Sequence, residues 1–141
     1  MKLKIVRIEL PTTKNKPTPK TFWVTMSFEK DKFTTQEKPD STEEAVFNQE
    51  FNLRPISFEE DVTFTIMEGD KNKGKVVGTA VGSLEFLHER IHRGKSFLNI
   101  VQNKFDIGTI HFEIEGEHPV QFLVEEEQLL GKKALEGGIA K

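Results

Sequence analysis

The sequence predicts an all-β fold: an eight-stranded antiparallel β-sandwich, with a short helix near residues 84–93 and a C-terminal tail. Three observations lead there. Several segments alternate apolar and polar residues with the period of a half-buried strand, most clearly residues 61–68, where Val62, Phe64 and Ile66 share one face. Clusters of turn-forming residues, such as 69–74, separate these segments. The large apolar residues are twelve Phe and one Trp with no Tyr, so the core carries few hydroxyls that need partners.

Each element follows from its residues. Leu3, Ile5, Ile8 and Leu10 read as a first strand whose phase shifts around Val6-Arg7. Residues 11–20 contain three prolines and read as a loop. Residues 21–28 are a second strand and 32–38 a weaker third. Residues 39–44 form the loop before a fourth strand at 45–53, which the polar knot Asn48-Gln49-Glu50 should bend or bulge. Residues 61–68, 75–87, 96–101 and 107–115 complete the strands. Leu84, Leu87 and Ile91 stand three and four apart, the spacing of one helical face. Phe47, Phe51, Phe64 and Ile66 are expected in one core.

Certain residues carry a resemblance. In residues 45–53, Val46, Phe47, Asn48, Glu50 and Phe51 match by type a signature of the C2 domain, the calcium- and lipid-binding β-sandwich family; Ala45 stands where proline is usual. Trp23-Val24, Gly78 after Val76-Val77, and Gly108 before an alternating run are similar to weaker family features in the same order. The resemblance implies a sandwich over residues 1–116. It also implies that the loops at 11–20 and 69–74 share one end and form the family's calcium site.

Calcium wants six to eight oxygen ligands, several of them carboxylate. Residues 11–20 contain no acidic residue, and the second loop offers only Glu68 and Asp70, with Lys75 near the place of a further ligand. These two are weak residual calcium candidates, and the resemblance then implies a member lacking most calcium-ligand aspartates. The same loops carry Lys14, Lys16, Lys20, Lys71, Lys73 and Lys75, a candidate contact for anionic phospholipid. No Phe, Trp or Leu in them would insert into a bilayer.

Net charge is −3 with both signs well mixed, which gives no global drive toward nucleic acid. The chain has no Cys, so disulfides, thiolate catalysis and Cys-built zinc sites are excluded. His88-Glu89-Arg90-Ile91-His92 spells H-E-x-x-H, which on a helix would place two imidazoles on one face with Glu89 as general base, so a zinc metallopeptidase is a remote alternative. Arg90 and Arg93 put charge where such a helix is usually buried, and the expected reading is a surface helix. No nucleophile-elbow or phosphate-loop pattern is present, and no catalytic centre and no cofactor are expected.

Residues 117–141 read as a tail, helical over part of its length, with Phe122, Leu123, Leu129 and Leu130 as candidate partner-binding residues. The expected function is a calcium-independent, non-catalytic binding module acting in protein–protein interaction or scaffolding. Peripheral membrane binding is the alternative. The expected location is cytoplasmic, with membrane or cytoskeletal association.

Overall fold

A computed structural model describes residues 1–11, 19–55, 57–70 and 72–115. The strands are β1 (Lys2–Glu9), β2 (Lys20–Phe28), β3 (Asp31–Thr34), β4 (Lys38–Ser41), β5 (Glu44–Asn52), β6 (Asp61–Glu68), β7 (Lys75–Ser83), β8 (Phe97–Gln102) and β9 (Phe105–Glu115), with helix α1 (Leu84–His92) between β7 and β8. Hydrogen bonding follows the path β3-β2-β6-β7-β8-β9-β1-β5, and β4 also pairs with β2. All pairs are antiparallel. The seam is β7–β8, joined at one register pair, Thr79 with Val101. On either side of it the two halves of the path face one another as the layers of a β-sandwich.

The inward residues of both layers form one core. Val24, Met26, Phe28, Val62, Phe64 and Ile66 come from one layer, and Leu3, Ile5, Ile8, Ile100, Ile110 and Phe112 from the other. Phe64 and Phe112 stack across the gap with ring centroids 6.2 Å apart. Alternation on the pleat puts every second residue inward, which explains why β6 reads so cleanly.

The phase shift in β1 is a pair of bulges. Ile5 faces Gln49 and Arg7 faces Val46, so β5 holds one residue more than β1 there; the same step of β1 holds one residue more than β9. Asn48 takes the extra place with φ +48°, a left-handed conformation that Asn tolerates better than most residues. The polar knot thus occupies the bulge, as expected.

Three expectations change. The third strand does not run through 32–38. It ends at Thr34, and the loop expected at 39–44 holds most of the short strand β4 and the start of β5, which makes nine strands among the described residues. Thr35 is the cause: its hydroxyl accepts from Val24 N (2.9 Å) and donates to Gln36 O (3.1 Å), while its own N–H donates to Val24 O (2.9 Å). A buried side chain replaces ladder bonds and turns the chain off the sheet. Pro39 then sits in a short strand at the sheet's margin, where a missing N–H does no harm.

The strand at 75–87 stops at Ser83, whose hydroxyl caps α1 by accepting from Phe86 N at 3.0 Å. Phe51 is only half-buried. It packs on the margin of the core against Phe33, with centroids 5.4 Å apart, because β5 is the last strand of the path and has a neighbour on one side only.

Candidate functional site

The register brings four connections to one end of the sandwich. Glu9 at the end of β1 pairs with Thr109, Phe22 near the start of β2 pairs with Glu68 at the end of β6, and Glu68 pairs with Lys75 at the start of β7. The β8–β9 turn lies at the same end, because Gln102 pairs with Phe105 just beyond this register. Two backbone bonds tie the end together: Leu10 N donates to Glu43 O (2.6 Å) and Gly69 N donates to Thr21 O (2.9 Å).

Glu68 is the centre. It is 8 % exposed. Its Oε2 lies 3.2 Å from Lys20 Nζ and its Oε1 lies 3.0 Å from Lys75 Nζ. Burial pushes the Glu68 carboxyl up, but the bonds from Lys75 and Lys20 outweigh it and hold the group below its ordinary range. Both carboxylate oxygens are therefore engaged by ammonium groups.

Asp70 is occupied differently. Its Oδ1 accepts from Asn72 N at 2.9 Å and its carbonyl accepts from Lys73 N at 2.8 Å, which shapes the β6–β7 turn. Lys20, Thr21, Glu68, Gly69, Lys73 and Lys75 line a surface pocket of about 290 Å³. Of the six lysines singled out from the sequence, the structure brings Lys20, Lys73 and Lys75 together; Lys14, Lys16 and Lys71 lie outside the described residues. So do Phe122, Leu123, Leu129 and Leu130.

The turn also roofs Trp23, which is buried on the outward side of β2, apart from the main core. A Cβ added to Gly74 would lie 2.5 Å from Trp23 Cζ2, so only glycine lets the turn close over the indole.

The H-E-x-x-H helix has the expected bounds but other work. His88 is buried beside Leu84 and Leu87, while His92 is exposed. Glu89 Oε1 pairs with Arg93 Nη2 at 2.8 Å. Arg90 lies over the rings of Phe86 and Phe97 and donates from Nε to Phe97 O at 2.8 Å. Among the described residues no group of three His, Cys, Asp or Glu side chains is placed to hold a metal ion. No helix among them is long and apolar enough to cross a membrane.

Solved structures share this architecture. A C2 domain-containing protein superposes with TM-score 0.61 at 16% identity, over 84% of this chain and 89% of that one. A C2 domain of plant extended synaptotagmin 1 gives TM-score 0.59 at 15% identity, over 79% and 88%. The chain has the C2 fold. CC2D1B, described as coordinating ESCRT-III activity during mitotic reformation of the nuclear envelope, also matches, with TM-score 0.59 and 17% identity over 79% of this chain. The chain spans about half of that structure's length, 52%. No protein-family model and no curated protein sequence matches the chain.

One part of the sandwich's loop end was not read from the sequence. The β8–β9 turn places Asn103 and Lys104 at its tip with φ +50° and +70°, the geometry of a two-residue type I′ turn. Phe105 follows, 73 % exposed. Its signal was an Asn ahead of an alternating run, which marks a hairpin only once the register of both flanking strands is known.

Proposed function

We propose that this chain is a calcium-independent, non-catalytic C2-type binding module. Residues 1–116 form the working domain, and it engages its target by a fixed face at the loop end rather than through a bridging cation. The observation that carries this reading is the Glu68 clamp. Where a calcium-binding relative would present a carboxylate to the metal, Glu68 presents both oxygens to Lys20 and Lys75. Asp70 cannot supply six to eight oxygens by itself, and residues 11–20 add no carboxylate. The protein thus supplies its own cations.

Calcium at millimolar concentration is expected to leave the melting temperature unchanged, because only a ligand that binds the native state raises it. A rise of several degrees that a chelator reverses would overturn the reading.

A protein partner, and with it a scaffolding role, is favoured by a separate surface. Across the outward face of the first layer, Thr34, Thr25, Thr65 and Thr79 stand in one cross-strand row and Lys32, Ser27, Thr63 and Val81 in the next. In a chain that is 30% charged, Lys32 is the one charge in these two rows. Such a face suits sheet packing, since charged residues are the ones depleted at interface centres. Capture of a protein from cell extract should survive in the wild type and fail in Thr65→Arg with an unchanged melting temperature. Equal capture by both proteins removes this face from the account.

A further inference from the structure

We propose that the tail docks on the domain's own helix α1: the carboxylates of Glu125, Glu126 and Glu127 meet Arg90, while Phe122 and Leu123 cover the rings of Phe86 and Phe97. The site lies at the end of the sandwich opposite the loop end. It is independent of calcium and of the Glu68 clamp.

Helix α1 crosses that end. It joins Ser83, which pairs with Asp61, to Phe97, which pairs with His111. Arg90 is held there before any ligand arrives. Its guanidinium carbon lies 5.6 Å from the ring centre of Phe86 and 5.0 Å from that of Phe97, and its Nε donates to Phe97 O at 2.8 Å. No hydrogen bond or ion pair among the described residues engages its two Nη atoms. They form the fork that takes both oxygens of a carboxylate. Stacking fixes this fork in place, so little freedom is lost on binding. Phe86 is 43 % exposed and rests on Gly82 of β7, where a Cβ would lie 3.0 Å from its Cδ2. Aromatic surface around an arginine is the composition of an interface centre.

The tail supplies the complement and starts close by. Glu115, the last residue of β9, lines one surface cavity of about 460 Å³ together with Ile91 of α1 and Gly94 just beyond it. The stretch from Glu115 to Phe122 reaches at most about 25 Å, more than the ~10 Å diameter of the helix it has to cross. Val120, Phe122, Leu123 and Val124 are followed directly by Glu125, Glu126 and Glu127. Apolar residues ahead of carboxylates match aromatic rings beside a guanidinium. Tethering holds the segment at an effective concentration on the order of millimolar, so weak contacts suffice.

Net charge does not place the segment; the held guanidinium does. Glu89 is taken by Arg93, and Arg90 and Lys95 then stand against Glu85. The cavity where the tail leaves is lined by Lys2 and Lys4 against Glu50, Glu113 and Glu115, which turns an acidic run away from that flank. The last carbonyls of α1 are already bonded, Ile91 O by Gly94 N at 2.9 Å and Arg90 O by Lys95 N at 2.7 Å. The negative end of the helix is thus closed before a carboxylate approaches.

The test uses the full chain. It has no cysteine, so Gln128→Cys carries a single nitroxide label. Paramagnetic broadening of amide signals should centre on residues 86–97 and spare the loop end. Changing Glu125, Glu126 and Glu127 together to Gln leaves every described residue as it is, and should lower the docked population about tenfold or more. Arg90→Lys keeps the charge but loses the fork, and should release the segment too, with the melting temperature as the control for folding. Broadening that is even over the domain, or centred elsewhere, overturns the docking. Broadening at α1 that survives both changes overturns Arg90 as the anchor. Equal broadening when the label and the observed nuclei sit on different molecules gives the segment to a second copy and overturns the intramolecular form.

Discussion

Phe64→Ala lowers stability by about 3–5 kcal/mol, the cost of removing a fully buried aromatic side chain and leaving its cavity. At this chain length that is a fall of roughly 10–20 °C in melting temperature. Phe64 has no exposed surface, stands at the middle of β6 and stacks on Phe112 of the other layer. Its truncation removes apolar area and the contact that joins the two sheets. Phe51→Ala provides the comparison: Phe51 packs on the core from its margin, and its loss should cost clearly less. Denaturant unfolding of the two variants checks both statements. An equal cost would place Phe51 inside the core and undo its assignment to the margin of an edge strand.

Gly108→Ala is the second large effect. A Cβ at that position would overlap the carbonyl oxygen of Glu9 and lie 2.9 Å from Leu10 Cδ2. The obstruction is main chain on a paired strand, which cannot rotate away, so β1 and β9 must separate near Glu9 and Thr109. Overpacking of this kind costs typically about 1–3 kcal/mol and sometimes more. Amide exchange should show faster opening at Glu9 and Thr109 than at Lys2 and Glu115, the far end of the same ladder. Uniform exchange along β1 would mean that the strands do not touch through Gly108.

Both residues show how much was legible. Val62, Phe64 and Ile66 declare their side of the sheet by alternation, and the register of β2, β6 and β7 confirms it. The bulge was readable because a polar knot interrupted an apolar phase. The third strand was misread because its end depends on Thr35, a threonine whose hydroxyl bonds a neighbouring strand; nothing local separates it from Thr34. Glu68 was visible as a carboxylate and Lys20 and Lys75 as lysines, but their convergence depends on β2, β6 and β7 being neighbours. Phe105 was missed for the same reason: an exposed aromatic in a short hairpin gains meaning only when other loops share its end.

Trp23 gives this end of the molecule an optical property of its own. It is the only tryptophan, and the chain has no tyrosine, so red-edge ultraviolet excitation addresses one indole. That indole lies beneath Gly74, in the turn that carries Lys73 and Lys75. Its emission wavelength and quenching by iodide or acrylamide report how tightly the turn is closed. Anything that lifts the turn exposes the indole to water and shifts its emission to the red. The chain thus carries an unlabelled sensor beside its proposed docking face, while Phe64 and Phe112 in the core stay dark at that wavelength.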